Sequence, residues 1–245
     1  MKRVFRIALL AGLAALAFAL PAGAESVTLE FGKAGNATGR IIQLIALLTV
    51  LSLAPSILIM VTSFTRIVVV LSFLRSALGL QQTPPNAVLV SLALFLTAFI
   101  MAPVVEEAYR AGVAPLIKQE ITEQQAFDRT VKPIRKFMLS HVRKNDLALF
   151  VDMAGAKPQT ADETPLRALV PAFMISELRR AFEIGFLLFV PFLVIDMVVA
   201  SILMSMGMLM LPPVTISLPF KLIFFVLVDG WYLVAGSLVR SFGGG

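Results

Sequence analysis

Four apolar stretches constrain this chain more than any other feature: about Ile41 to Val61, Ala87 to Val105, Ile184 to Met206 and Phe220 to Val239. Each approaches the roughly 20 residues that cross a ~30 Å hydrocarbon core as a helix. The expected fold class is an all-α membrane protein: two apolar helical hairpins plus a small helical extracytoplasmic segment. Composition agrees, because 58% of the residues are hydrophobic and only 15% charged. A soluble domain carries about 25% charged residues, so too little polar surface exists here to cover a globule in water.

The N-terminus reads as a secretory signal. Lys2, Arg3 and Arg6 form a basic region, Ile7 to Leu20 an apolar run, Pro21 a break, and Ala22-Gly23-Ala24 a small-x-small cleavage pattern. Cleavage after Ala24 is expected. The boundaries that follow are a signal peptide at 1–24, a flexible lead at 25–40 and a first apolar hairpin at 41–105. A polar helical segment at 106–165 precedes a second apolar hairpin at 166–245 with a Met-rich turn. With the new N-terminus outside, the link from Thr62 to Pro85 faces the cytoplasm. It carries Arg66 and Arg75 and no acid, as the positive-inside rule prefers. Both termini and the polar segment are then extracytoplasmic.

In the polar segment Phe127, Val131, Ile134 and Met138 recur at helical spacing and predict a helix over Thr122 to Ser140. Lys157 to Pro165 reads as a loop. From Pro165 to Met206 the apolar pattern is nearly uninterrupted, about 60 Å at ~1.5 Å per residue. Its first part carries Glu177, Arg179, Arg180 and Glu183. Glu177 shares a helix face with Arg180, and Arg179 with Glu183. With Arg66 and Arg75 these are candidate interface or ion-pair residues, since a plain bilayer span would not carry such charge at its middle.

Enzyme chemistry finds no foothold. Cysteine is absent, which excludes disulfides, Cys-ligated zinc and thiol catalysis. His141, the single histidine, lies beside Arg143 and Lys144 and reads as a surface residue. No phosphate loop, HExxH or nucleophile elbow occurs. No catalytic residue, cofactor or metal site is expected. The net charge of +6 includes the three N-terminal cations, and no basic stripe with interleaved aromatics marks a nucleic-acid surface.

Charges at membrane depth are the first positive signal. Asp196, Lys221 and Asp229 stand in apolar surroundings, where ionisable groups normally face a bundle interior or a wet path. Asp196 and Asp229 lie equally far from the Pro212-Pro213 turn, about 25 Å along each arm, and a shared polar contact is expected. Such a contact serves either as polar glue between subunits or as a proton-coupled pair. The second signal is Met204, Met206, Met208 and Met210 at a Gly- and Pro-punctuated turn. Thioether side chains fill irregular gaps, either as core filler or as a compliant seal.

Several stretches carry a resemblance. They are Met60 to Leu71 (MVTSFTRIVVVL), Pro84-Pro85-Asn86, Leu92 to Thr97 (LALFLT), Ile100 to Pro103 (IMAP) and Pro171 to Leu178 (PAFMISEL). Ala181 to Phe186 (AFEIGF), Val198 to Ser201 (VVAS), Leu218 to Lys221 (LPFK) and Val228 to Trp231 (VDGW) continue it. From about Pro55 to Phe242 the chain resembles the FliP family, flagellar biosynthetic proteins of the type III export gate. The resemblance implies a core subunit of a pore that passes unfolded flagellar proteins across the bacterial inner membrane at the flagellar basal body. Implied partners are FliQ- and FliR-like subunits, further copies of itself as a pentamer, and other export-apparatus membrane proteins. Homologues serve injectisomes. The family's methionine stretch forms a pore gasket, which carries onto Met208 and Met210 here, with Leu209 in place of the commoner methionine. The family's gate rises out of the bilayer plane, so the apolar helices are also expected to pack on other subunits. The other class considered, a small-solute or ion transporter subunit, fits poorly because the two halves show no inverted repeat.

Overall fold

The computed structural model describes residues 37–156, 158–208 and 210–243. The expected signal peptide and most of the lead lie outside the described residues. The described residues are about 82% helical and include no strand, so the all-α membrane class stands. Two units divide at 51/52. The described part of the first is helical and mostly apolar, with Ile41, Ile42, Ile45, Leu48 and Leu51 exposed.

Helix α1 (Ala37–Val61) runs into the second unit and contains Pro55. After a break at Thr62-Ser63 come α2 (Phe64–Ala77) and α3 (Asn86–Ala108). A π-helical turn, Tyr109–Val113, joins α3 to the short α4 (Ala114–Ile117). The polar segment forms α5 (Glu123–His141) and α6 (Lys144–Met153). The long α7 (Leu166–Ser205), α8 (Pro213–Leu227) and α9 (Gly230–Arg240) complete the chain. Asn86–Ile117, with 32 residues, and α7, with 40, are long and apolar enough to cross a membrane. Two bent pairs, Leu44–Leu53 with Pro55–Val61 and α8 with α9, raise the number to as many as four.

α2 is the packing centre. Ile67, Val70, Leu71 and Leu74 are all but inaccessible and pack among Leu169, Phe173 and Ala181 of α7 and Leu89 and Ala93 of α3. The uninterrupted pattern from Pro165 to Met206 is one helix, as its periodicity anticipated. The stretch Phe220 to Val239 is not. It breaks into α8 and α9, bent by 62°. Asp229 sits in the left-handed region at φ +50. At Gly230 a β-carbon would lie 2.1 Å from the Phe225 ring, so only glycine allows that ring to close on the bend.

α5 starts with a reciprocal capping box between Thr122 and Gln125. Its buried face is Ala126, Pro133, Phe137, Met138 and His141. Phe127, expected on the apolar face, is exposed. The packed face is rotated toward Ala126, which lies against Gly112 of the π-helical turn.

Candidate functional site

The root of α7 holds the first charged cluster. Arg66, in the first turn of α2, donates from Nε and Nη2 to the Glu177 carboxylate at 2.8 and 2.5 Å. Both side chains are buried, at 1% and 0% exposure. Arg66 Nη1 also donates to the carbonyl and hydroxyl of Ser241 at 3.3 and 3.0 Å, and its guanidinium stacks 3.7 Å from the Phe242 ring centre. A buried pair survives only when further hydrogen bonds satisfy the charges left over, and this one meets that condition. Burial lowers the guanidinium's pKa; the Glu177 hydrogen bond and charge raise it, and the Arg180 charge lowers it again.

Glu177 therefore faces α2 and not Arg180, its expected neighbour on the same helix face. Packing of α2 on that turn of α7 turns the carboxylate inward. Arg180 joins no ion pair among the described residues. Arg179 and Glu183 do pair, at 3.0 Å, but on the exposed surface, where such contacts contribute little. Arg75 pairs with no acid among the described residues. It donates to the Asn86 side chain at 2.6 Å and to the Pro84 carbonyl at 3.3 Å, tying the end of α2 to the start of α3.

His141 corrects the surface reading. It is 6% exposed, with Nδ1 2.8 Å from the Phe137 carbonyl and the ring between Phe137 and Phe242. The C-terminal Phe242 covers it, a contact that its charged neighbours in sequence give no hint of.

Farther along α7, Asp196 pairs with Lys221 of α8 at 2.7 Å and accepts from the Ser217 hydroxyl at 2.5 Å. Lys221 Nζ also donates to the Ala77 carbonyl at 3.2 Å, at the negative end of α2. The expected contact with Asp229 is absent. Asp229 is exposed at the break between α8 and α9, because the bend there turns the chain out of a straight second arm. A lysine, which neutralises Asp196, takes the place of a second carboxylate, which would repel it.

Beyond this pair lies the methionine turn. α7 stops where Gly207, at φ +74, donates to the Met204 carbonyl, while Met208 N–H reaches back to the Leu203 carbonyl. This is the paired closure of a helix by a left-handed glycine. Pro212 and Pro213 then start α8. Met204 (58%), Met206 (61%) and Met208 (43%) are exposed, and Met210 almost fully so (98%). Leu209 lies outside the described residues. One flank of α7 also forms a concave aromatic groove of about 300 Å³, lined by Phe73, Phe182, Phe186, Phe189, Val190 and Leu193.

These features define an all-helical membrane protein whose longest helix runs from a buried ion pair to an exposed thioether turn. The model of the FliP family matches residues 47–238. The flagellar biosynthetic protein FliP of Caulobacter vibrioides is 62% identical over 242 residues, 97% of this chain and 91% of the relative. That of Bacillus subtilis is 57% identical over 202 residues, 82% of this chain and 91% of the relative. That of Aquifex aeolicus is 53% identical over 204 residues, 82% and 85% of the two chains. The chain belongs to the FliP family.

Proposed function

We propose that this chain is a core subunit of the flagellar type III protein export gate, and that several copies bring their methionine turns together around the pore. The observation that carries this reading is the exposure of Met204, Met206, Met208 and Met210 on a turn that closes two packed apolar arms. A monomer gains nothing from thioethers left in water. A ring of them gives a soft constriction whose rotamers repack around different polypeptides. The aromatic groove on α7 supports the same reading, since it offers a neighbouring helix an apolar socket. The gate stands in the bacterial inner membrane at the flagellar basal body, with FliQ- and FliR-like subunits beside further copies of this chain and both termini extracytoplasmic. Unfolded flagellar proteins pass through it, and the chain supplies a conduit without catalysis of its own.

The test is purification of the tagged full chain from flagellated cells in mild detergent, with secretion of flagellar proteins followed in a strain lacking the gene. Co-purification of FliQ- and FliR-like subunits with several copies of the chain, and loss of secretion in the deletion, are expected. A chain that purifies alone and a deletion that still secretes overturn the reading.

A further inference from the structure

We propose that the cavity between α2, the root of α7 and the C-terminal turn holds the phosphate of an anionic phospholipid, with Arg180 as its principal ligand. The inference rests on the chain lying in a membrane and not on its export role. The cavity measures about 400 Å³ and is lined by Arg66, Arg143, Arg180, Glu183, Ile184 and Ser241.

Charge matching leaves one cation over. Arg66 is taken by Glu177 at 2.5 Å, Arg143 is 3.8 Å from Asp146, and Glu183 is held by Arg179 at 3.0 Å. Arg180 is half-buried and has no carboxylate among the described residues. Its charge reaches Arg66, whose pKa is lowered first by burial and further by Arg180. Two guanidinium groups thus crowd one cavity with the second uncompensated, and an anion between them removes the repulsion. The guanidinium fork matches phosphate oxygens in pairs.

The surroundings select a lipid as the phosphate's carrier. On the flank of α7 below Arg180, Ile184, Leu187, Pro191, Val194 and Val198 succeed one another at helical spacing. Leu187, Val194 and Val198 are 68%, 53% and 53% exposed. This stripe is about 21 Å long at ~1.5 Å per residue, longer than one leaflet's share of a ~30 Å hydrocarbon core. Acyl chains attached to a phosphate at Arg180 therefore have an apolar surface to lie on. Arg143, between α5 and α6, lines the cavity, so the polar segment reaches its rim and the site sits at a polar–apolar boundary. Basic pockets between membrane helices hold phospholipid head groups at cytoplasmic faces, and the same fork-to-phosphate chemistry is available at this boundary. The aromatic groove occupies the opposite flank of α7 and is left for protein.

The test uses the full chain in a non-ionic detergent, with native mass spectrometry and thermal unfolding in the presence of phosphatidylglycerol, phosphatidylcholine or inorganic phosphate at equal phosphate concentration. The wild-type chain should retain phosphatidylglycerol over phosphatidylcholine by about tenfold, the worth of one charge-assisted contact. Arg180→Ala should abolish that preference and Arg180→Lys should keep part of it. Arg110→Ala, which removes one exposed cation elsewhere, should leave it intact, and all variants should show wild-type helix content by circular dichroism. Equal retention by wild type and Arg180→Ala overturns the site. Stabilisation by inorganic phosphate as strong as that by phosphatidylglycerol overturns the lipid as its source. No lipid preference in the wild type, with companion subunits lost from Arg180→Glu, gives the arginine to a protein carboxylate instead.

Discussion

The two ends of α7 obey opposite rules. At its root Ala172, Phe173, Ser176, Glu177 and Ala181 are fully buried, and the charges close on one another and on the C-terminal turn. At its tip Ile202, Met204 and Met206 are exposed, and the chain reverses with no cover of its own. The largest fully buried side chain among the described residues is an arginine, Arg66, and Met210 is almost fully exposed. Polarity does not decide burial here. The root is buried because α2 and the C-terminal residues pack on it; the tip is bare because none of the described residues covers it. The root holds the fold together, and the tip is the surface that the proposed assembly would cover.

Breaking the root should have the largest effect. Glu177→Ala leaves the Arg66 guanidinium buried against Phe242 with only Ser241 to accept from it. Removing one partner of a buried pair costs about 3–5 kcal/mol, so unfolding in detergent, read by circular dichroism and proteolysis, should come at markedly lower temperature. The exchanged pair Arg66→Glu with Glu177→Arg should recover part of the loss. Wild-type unfolding in Glu177→Ala would mean that the root is not where the subunit's stability lies.

Asp196 and Lys221 sharpen the comparison, because they stand between the two ends and are unequally buried, at 26% and 4% side-chain exposure. Asp196→Ala strands a lysine that water cannot reach, whereas Lys221→Ala leaves a carboxylate that still has Ser217 and partial solvent. The first should cost more than the second, within the ~1–3 kcal/mol of an unsatisfied buried polar group. Asp229→Asn keeps a residue tolerant of the left-handed backbone and removes only an exposed charge, so it should shift stability by less than about 0.5 kcal/mol. The same unfolding assay ranks all three. A loss in Asp229→Asn equal to that in Asp196→Ala would restore the coupling of the two acids that their spacing suggested.

The sequence made local features legible and left distant partners hidden. The length of α7 and its interruption before Pro212 follow from apolar periodicity and from glycine and proline, all within a few residues. The exposed Arg179–Glu183 pair follows from helix spacing in the same way. Glu177 has two arginines close by in sequence, yet its partner is Arg66, brought from far away by the packing of α2 against α7. Asp196 was equally ambiguous: counting from the prolines favours Asp229, but residues 206–212 form the turn and lengthen neither helix, so Asp196, about nine residues before the end of α7, meets Lys221, about eight residues into α8. His141 carries no local sign of burial, because Phe242, which covers it, comes from the end of the chain. The arginine in the first turn of α2 marked the root as a candidate ion-pair site in the sequence, since a charge there requires a partner, but left that partner unnamed.

The smallest expected effect on the subunit is at the tip, and there the proposed gasket can be separated from simple packing. Met206, Met208 and Met210 are exposed, so replacing all three with Ala should change stability by no more than about 0.5 kcal/mol, the usual range for surface substitutions. The consequence should appear only in the assembled complex. If the turns meet around a pore, shortening three side chains per copy opens the constriction, and cells should leak ions or small molecules while the complex still purifies intact. If the methionines only fill gaps between subunits, the same change should weaken assembly and leave the membrane tight, because a complex that does not form opens no channel. Native gels and a dye-leakage assay on the same strain separate these outcomes. An intact complex in a tight membrane would remove the methionine turn from the pore altogether.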